Sequence, residues 1–340
     1  MKTKTFRIVC ILFIVHSTLM NKSSFSQWEP DVRLTDAPGV SYPSYNNARN
    51  IAVSGDAIHT VWFDNRGGNY YAIYYKRSTD GGINWGADIA LTDGNVTGAL
   101  YPSIAVAGNI IHVVWHSELD NGYEICYKRS EDGGMTWTTD MRLTDAPLFS
   151  GYPSLAISGN MLHLTWYDER DGNYEIYYKR STDSGLNWET DTRLTNNPGY
   201  SWSPSIVTSG DLLHLVWFNN LSGNEEIFYK RSGDGGSTWG EEIRLTNNPA
   251  YSDNTSVAVS GNDEHVAWQD NRDGNYEIYY SRSTDGGLNW EPEARLTIFE
   301  GNSYNPSIAS YGLNLHCTWY DSRDGRSEER RVGKECRSRW

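Results

Sequence analysis

Ser181-Thr-Asp-Ser-Gly-Leu-Asn-Trp188 is one of five copies of the phrase Ser-x-Asp-x-Gly-x-x-Trp, and its spacing decides the fold. The others run from Ser78 to Trp85, Ser130 to Trp137, Ser232 to Trp239 and Ser283 to Trp290. Their aspartates, Asp80, Asp132, Asp183, Asp234 and Asp285, lie 52, 51, 51 and 51 residues apart. A period near 50 belongs to stacked supersecondary units, not to one irregular domain.

A second phrase, His-x-x-Trp, keeps the same period at His59/Trp62, His112/Trp115, His163/Trp166, His214/Trp217, His265/Trp268 and His316/Trp319, which makes six units. The consensus is best read over residues 152–195. It falls into four short β-rich runs bounded by Gly, Asn, Asp or Pro, here strands A to D, and no stretch holds a 3.6-residue period long enough for a helix. In strand B, Leu162, Leu164 and Trp166 alternate with His163, Thr165 and Tyr167, so both faces carry bulk and suit a sheet packed between two neighbours. The expected fold is all-β: a six-bladed β-propeller with four-stranded antiparallel blades.

Trp28-Glu-Pro-Asp-Val-Arg-Leu-Thr35 matches Trp290-Glu-Pro-Glu-Ala-Arg-Leu-Thr297, an orphan strand D without its own A, B and C. Unit six stops after Asp321-Ser-Arg-Asp-Gly325, before its strand C. An N-terminal strand D that completes the last blade would close the ring and remove two open edges. The count is six blades, or seven if sequence is missing. Residues 326–340 leave the repeat in mid-loop without a β pattern. They resemble a translated sequencing adapter and are expected to be an artefact, the alternative being a basic tail.

Lys2, Lys4 and Arg7 precede an apolar run from Ile8 to Val15 and a small-residue site at Ser24-Phe-Ser26, the layout of a secretory signal peptide over residues 1–26. The run is well short of the roughly 20 residues of a spanning helix, so the propeller of residues 27–325 is expected outside the cytoplasm and free of a membrane span. The chain has 29 basic and 43 acidic residues; setting aside 4 basic in the leader and 6 basic and 3 acidic in the tail leaves 19 against 40, a net of −21. That excess argues against nucleic acid or an anionic membrane as partner. Of four cysteines only Cys126 and Cys317 lie in the propeller, so no disulfide framework is expected, and a monomer can draw stability from its stacked aromatic sheets.

The repeated phrase resembles the Asp-box, or BNR repeat, of the sialidase superfamily, over residues 28–325. The resemblance implies that the box sits at the turn between strands C and D. There the Ser and Asp side chains accept bonds from turn amides, Gly takes positive φ, and Trp85, Trp137, Trp188, Trp239 and Trp290 bury the hairpin. The box is then structural. For activity the resemblance implies three arginines on a substrate carboxylate, a Tyr nucleophile activated by Glu, an Asp acid/base and an early Arg-Ile-Pro. The one Arg-Ile, Arg7-Ile8, falls in the leader and Val9 follows it.

The resemblance places the active face on loops B–C and D–A, opposite the boxes. Loop B–C reads Asp64/Arg66, Asp168/Arg170, Asp270/Arg272 and Asp321/Arg323, but Ser117/Leu119 and Asn219/Leu221 in units two and four. Arg66, Arg170, Arg272 and Arg323 are candidates to clamp a carboxylate bidentately; the alternative pairs each with its own Asp in a turn. Tyr42, Tyr101 and Tyr152, in Tyr-Pro-Ser, open the innermost strand and are further ligand candidates. The histidines, one per blade, read as structural. Asp168 to Glu175 has calcium-like intervals but reads as an Asx turn, so neither metal nor cofactor is expected.

One substrate needs different groups in different places, and these candidates repeat with the fold. The expected function is an exported propeller recognising an extracellular glycan or other polymer without catalysis. The alternative is an exo-α-sialidase-type glycoside hydrolase using the arginine cluster. Whether the protein is an enzyme, and which glycan it meets, stays open at this level.

Overall fold

The computed structural model describes residues 32–37, 39–44, 49–66, 70–92, 98–119, 122–221, 223–321 and 330–332. The described chain forms six antiparallel sheets in sequence order, five of them with strands A to D side by side. Sheet three shows the plan. Strand A (Ser150–Ser158) pairs with B (Met161–Asp168), B with C (Glu175–Ser181), and C with the short D (Thr192–Arg193). The leader call and Trp28 lie outside the described residues.

Burial follows the two-residue alternation. Leu155, Leu162, Leu164 and Trp166 pack against Val114, Ile125 and Tyr127 of sheet two. Ala156, Tyr167, Ile176 and Tyr178 pack against Ile206, Leu213 and Trp217 of sheet four. Each seam is thus a small core of its own, and the strand-B tryptophans Trp115, Trp166, Trp217 and Trp268 are fully buried in these seams. At roughly 25 cal/mol per Å² such rings are the largest single contributors to sheet stacking. The two outermost faces differ. Ile51 of sheet one is 38% exposed where its counterpart Leu155 is sealed, and Ala309 of sheet six is exposed where Ala156 is buried.

The octapeptide turns tie sheets together. In Ser181–Trp188, Ser181 Oγ accepts the Gly185 N–H at 2.9 Å and Asp183 Oδ1 accepts the Asn187 N–H at 2.8 Å. Trp188 meets Tyr127 of sheet two edge-on at 5.4 Å. A Cβ on Gly185, at φ +80°, would lie 2.0 Å from the Tyr127 hydroxyl, so the glycine is required by contact with the neighbouring sheet as well as by its backbone. That hydroxyl also bonds His112 Nδ1 at 2.7 Å, and the pattern recurs at His59/Tyr75, His163/Tyr178, His214/Tyr229 and His265/Tyr280. Burial pulls His163 down to about 4, so it is a neutral structural group.

Arg33–Thr35 repeats the strand-D conformation: Arg33 Nε donates to Thr35 O at 2.5 Å as Arg193 Nε does to Thr195 O at 2.7 Å. Lys76 Nζ of sheet one donates to Leu34 O at 2.7 Å, as Lys179 does to Leu143 O of the preceding sheet at 2.6 Å. The segment therefore lies where the strand D of a sheet preceding sheet one would lie. At the other end, Arg330–Val332 pairs with strand B of sheet six (Asn314–Asp321), although that stretch carries no β pattern. The open edge of a strand offers unpaired N–H and C=O groups to any extended backbone.

Candidate functional site

The turn Asp168–Arg170 is built around a buried carboxylate. Asp168, fully buried, accepts the Ser150 hydroxyl at 2.8 Å, the Trp166 indole N–H at 2.9 Å and the Arg170 backbone N–H at 3.0 Å. Burial opposes its charge, but bonds from Arg170 and Trp166 hold its carboxyl below the usual range. Arg170 donates from Nε and Nη2 to Asp168 and from Nη1 to Asp191 at 2.7 Å, and its guanidinium lies 4.5 Å over the Tyr177 ring. Arg66 repeats this with Asp64, Asp88 and Tyr74, and Arg272 with Asp270, Glu293 and Tyr279. Arg323 lies outside the described residues.

These arginines run outward across strand C toward strand D and do not converge on the inner strands. Sheet four shows why they are there. Asn219 Oδ1 accepts the Leu221 N–H at 2.7 Å, so the turn forms with a neutral acceptor, and no arginine follows it. The guanidinium accompanies the buried charge. Glu175 is equally occupied: it takes bonds from Arg193 Nη2 at 2.9 Å, the Asn197 N–H at 3.2 Å and the Thr195 hydroxyl. The calcium-like carboxylates thus spend their lone pairs on protein donors. Among the described residues no three His, Cys, Asp or Glu side chains are grouped as a metal site needs. Cys126 is buried, which pushes its thiol up to about 12.

The inner strands carry a different surface. Each strand A after the first has a bulge near its start, and the bulge residue takes a left-handed backbone: Tyr101, Tyr152, Ser203, Asn254 and Asn305 have φ between 48° and 55°. Bulges re-aim side chains. Here Tyr101 and Tyr152 stack at 4.4 Å between centroids, with Phe63 at 5.5 Å from Tyr101 and Tyr167 at 5.3 Å from Tyr152. Tyr42 does not share their position. It pairs with Phe63 as Gly151 pairs with Tyr167, and Asn50, in the place of Ser154, follows eight residues later instead of three. Unit one therefore carries extra residues that its short motif hides. Tyr42 still joins the aromatic tract by stacking on Phe63 at 5.3 Å and meeting Tyr71 at 6.1 Å.

The mouth formed by loops D–A and B–C is not uniform around the repeat. Where strand C begins, Tyr71, Tyr123, Tyr174 and Tyr276 are replaced in sheet four by Glu225. On strand A, the position of Trp202 and Tyr304 holds Asp253 in sheet five, paired with Gln269 where other sheets have Phe63, His116, Tyr167, Phe218 or Tyr320. These replacements meet. Tyr174 faces Trp202 at 5.7 Å across one seam and Tyr276 faces Tyr304 at 5.1 Å across another; between sheets four and five the same two positions put Glu225 in hydrogen-bond reach of Asp253.

Burial and the charge of Glu225 push the Asp253 carboxyl well above the usual carboxylate range, and Asp253 Oδ1 is buried without a partner. The pair also raises the Tyr276 phenol, whose first cause is burial, to about 12. The candidates named from the sequence repeat with the fold. Glu225 and Asp253 are a departure from the repeat, visible in Asn224-Glu-Glu226 and Ser252-Asp-Asn254 once each unit is aligned by ladder position. The four-residue neighbourhood of each is otherwise ordinary, which is why motif counting passes over it.

No family model and no curated protein sequence matches the chain. Among solved structures it is similar to a Hadza microbial sialidase, with TM-score 0.57 and 16% identity over 91% of this chain and 70% of that one. It is similar also to an ulvan lyase of polysaccharide lyase family PL25, with TM-score 0.58 and 11% identity over 86% and 83%, and to an α-L-arabinofuranosidase of Fusarium graminearum, with TM-score 0.55 and 13% identity over 83% and 91%. At such identities the likeness carries the fold alone. The all-β arrangement of six antiparallel sheets matches the propeller fold of these solved structures.

Proposed function

We propose that the protein is an extracytoplasmic recognition propeller that binds a glycan or related polymer through its aromatic mouth without turning it over. The observation that carries the reading is the tract running from Tyr42, Phe63 and Tyr71 through Tyr101 and Tyr152 to Tyr174, Tyr200 and Trp202. Most of these rings are half-buried, and Tyr200 is 44% exposed. Flat rings that are rigid, partly exposed and tipped with hydroxyls suit the apolar faces and hydroxyl edges of sugar rings at little cost in side-chain entropy. In this reading the ring has six blades, closed by the strand that includes Arg33–Thr35, and the leader directs export.

Two observations weigh against the sialidase-type alternative. The three described loop arginines are engaged by carboxylates of their own sheets. The mouth itself carries carboxyl groups, which repel a sugar acid. The test combines a glycan microarray with a fluorogenic sialoside assay on wild type and on Tyr101→Ala and Tyr152→Ala. Binding without sialoside turnover, reduced about tenfold by either substitution, is expected from a loss near 1.4 kcal/mol. Sialoside turnover, or glycan binding that both substitutions leave intact, sinks the proposal.

A further inference from the structure

Glu225 and Asp253 stand where the neighbouring seams place two aromatic rings, so one seam of the mouth exchanges a stacked pair for a pair of carboxyls. Burial and the charge of Glu225 favour the protonated form of Asp253, so the pair carries negative charge through Glu225. The groups bearing on Asp253 are Glu225, Gln269 and Asp270. Asp270 is matched by Arg272 at 2.5 Å, whereas no ion pair neutralises Glu225 or Asp253 among the described residues. Gln269 is itself held, its Oε1 accepting the Asn305 N–H at 2.9 Å. The contact is also too close for a glycosidase pair, whose carboxyls stand about 5 to 9 Å apart to admit the sugar carbon or a water. The pair therefore supplies a field at the mouth, with both side chains half-buried and Asp253 Oδ1 sealed from solvent.

We infer that the Glu225–Asp253 pair sets the charge class of glycan accepted at the mouth, admitting uncharged sugars and rejecting those that carry a carboxylate. The inference rests on reading the mouth as the glycan surface. A ligand carboxylate about 5 Å from the pair's charge is disfavoured roughly fourfold at the dielectric of water and about two-hundredfold at that of a protein surface cleft. The three loop arginines turn outward to their own carboxylates, and the cation described beside the inner strands, Arg49, belongs to sheet one and not to the seam of sheets four and five.

The probes are matched neutral and acidic oligosaccharides on one array, galactan against polygalacturonate and lactosamine against its sialylated form among them, read at low salt. Wild type is expected to bind neutral members at least tenfold more tightly than their acidic counterparts. In the double variant Asp253→Asn/Glu225→Gln the difference should shrink to about threefold or less, through a gain for the acidic sugars. A second variant, Glu225→Tyr/Asp253→Tyr, rebuilds the aromatic pair of the seam between sheets five and six and should give the same gain, so one misfolded variant does not decide the matter. Acidic sugars bound as tightly as neutral ones by wild type, or a ratio unmoved in folded variants, overturns the inference and leaves the mouth as a glycan surface. Absence of binding to every glycan overturns both.

Discussion

Replacing Glu264 with leucine should stabilise the protein at alkaline pH and leave it little changed in mild acid. Glu264 lies on strand B of sheet five, at the position held by Ile58, Ile111, Leu162, Leu213 and Leu315 in the other units. Its side chain is fully buried in the seam with sheet four, 3.3 Å from His214 Nε2. Burial pushes its carboxyl up from 4.5 to about 7 and pulls the His214 imidazole down to about 4. Between those values both groups are neutral. A raised carboxyl pKa means that the folded state holds a proton the unfolded state has lost, from pH 4.5 to about 7. Stability therefore falls as pH rises through that window and is flat above it.

At 1.36 kcal/mol per pH unit the full loss is about 3 kcal/mol, and about 2.5 kcal/mol of it falls between pH 5 and pH 8. Leucine does not titrate, so the stability of Glu264→Leu relative to wild type should rise by about 2.5 kcal/mol between those two pH values. The exchange strands nothing new, because His214 Nε2 is already buried without a hydrogen-bond partner, as are those of His112 and His163. Urea unfolding of both proteins at pH 5 and pH 8 measures the difference. A relative stability that does not change with pH, or a variant weaker than wild type at pH 8, would refute the reasoning, because it would mean that the seam satisfies Glu264 as an anion.

Gly236→Ala should cost about 3 kcal/mol, combining a left-handed backbone at φ +80° with a Cβ 1.9 Å from the Tyr178 hydroxyl. Gly210→Ala, at φ +63° with open space around it, should cost about 1 kcal/mol, and chemical unfolding distinguishes the two. Arg170→Ala should cost about 3 kcal/mol by stranding the buried Asp168 charge. Asp168→Asn/Arg170→Leu, which copies Asn219 and Leu221, should recover most of that loss, short of the Trp166 indole bond that the buried Trp217 nitrogen already lacks. If the arginine served ligand binding instead, the double variant would fold well and lose glycan affinity.

Much of the fold was legible because repetition turns weak local signals into a period. A single Ser-x-Asp-x-Gly-x-x-Trp is a turn; five on one spacing require stacked sheets, and the structure supplies six. The roles expected inside the turn, with Ser and Asp as acceptors, Gly at positive φ and Trp between sheets, are those observed. Tyr42 falls outside the bulge position of Tyr101 and Tyr152 because unit one carries extra residues between its Tyr-Pro-Ser motif and the strand that pairs with Ala57–Asp64.

The sequence by itself determined the sheet count, the order of strands and the structural turns, since these depend on local patterning and on the alternation of faces. Only the tertiary structure decided which way the arginines point and which departures from the repeat meet. Arg170 and its equivalents look like a converging set in one dimension, but a buried aspartate costs more to leave unpaired than an open mouth gains from a free guanidinium. Glu225 and Asp253 are 28 residues apart in the chain, in different sheets, and Glu264 and His214 are 50 apart. Neither pair exists until two sheets stack, because the partners sit on facing sheets, and burial in the seam favours the neutral forms of Asp253, Glu264 and His214.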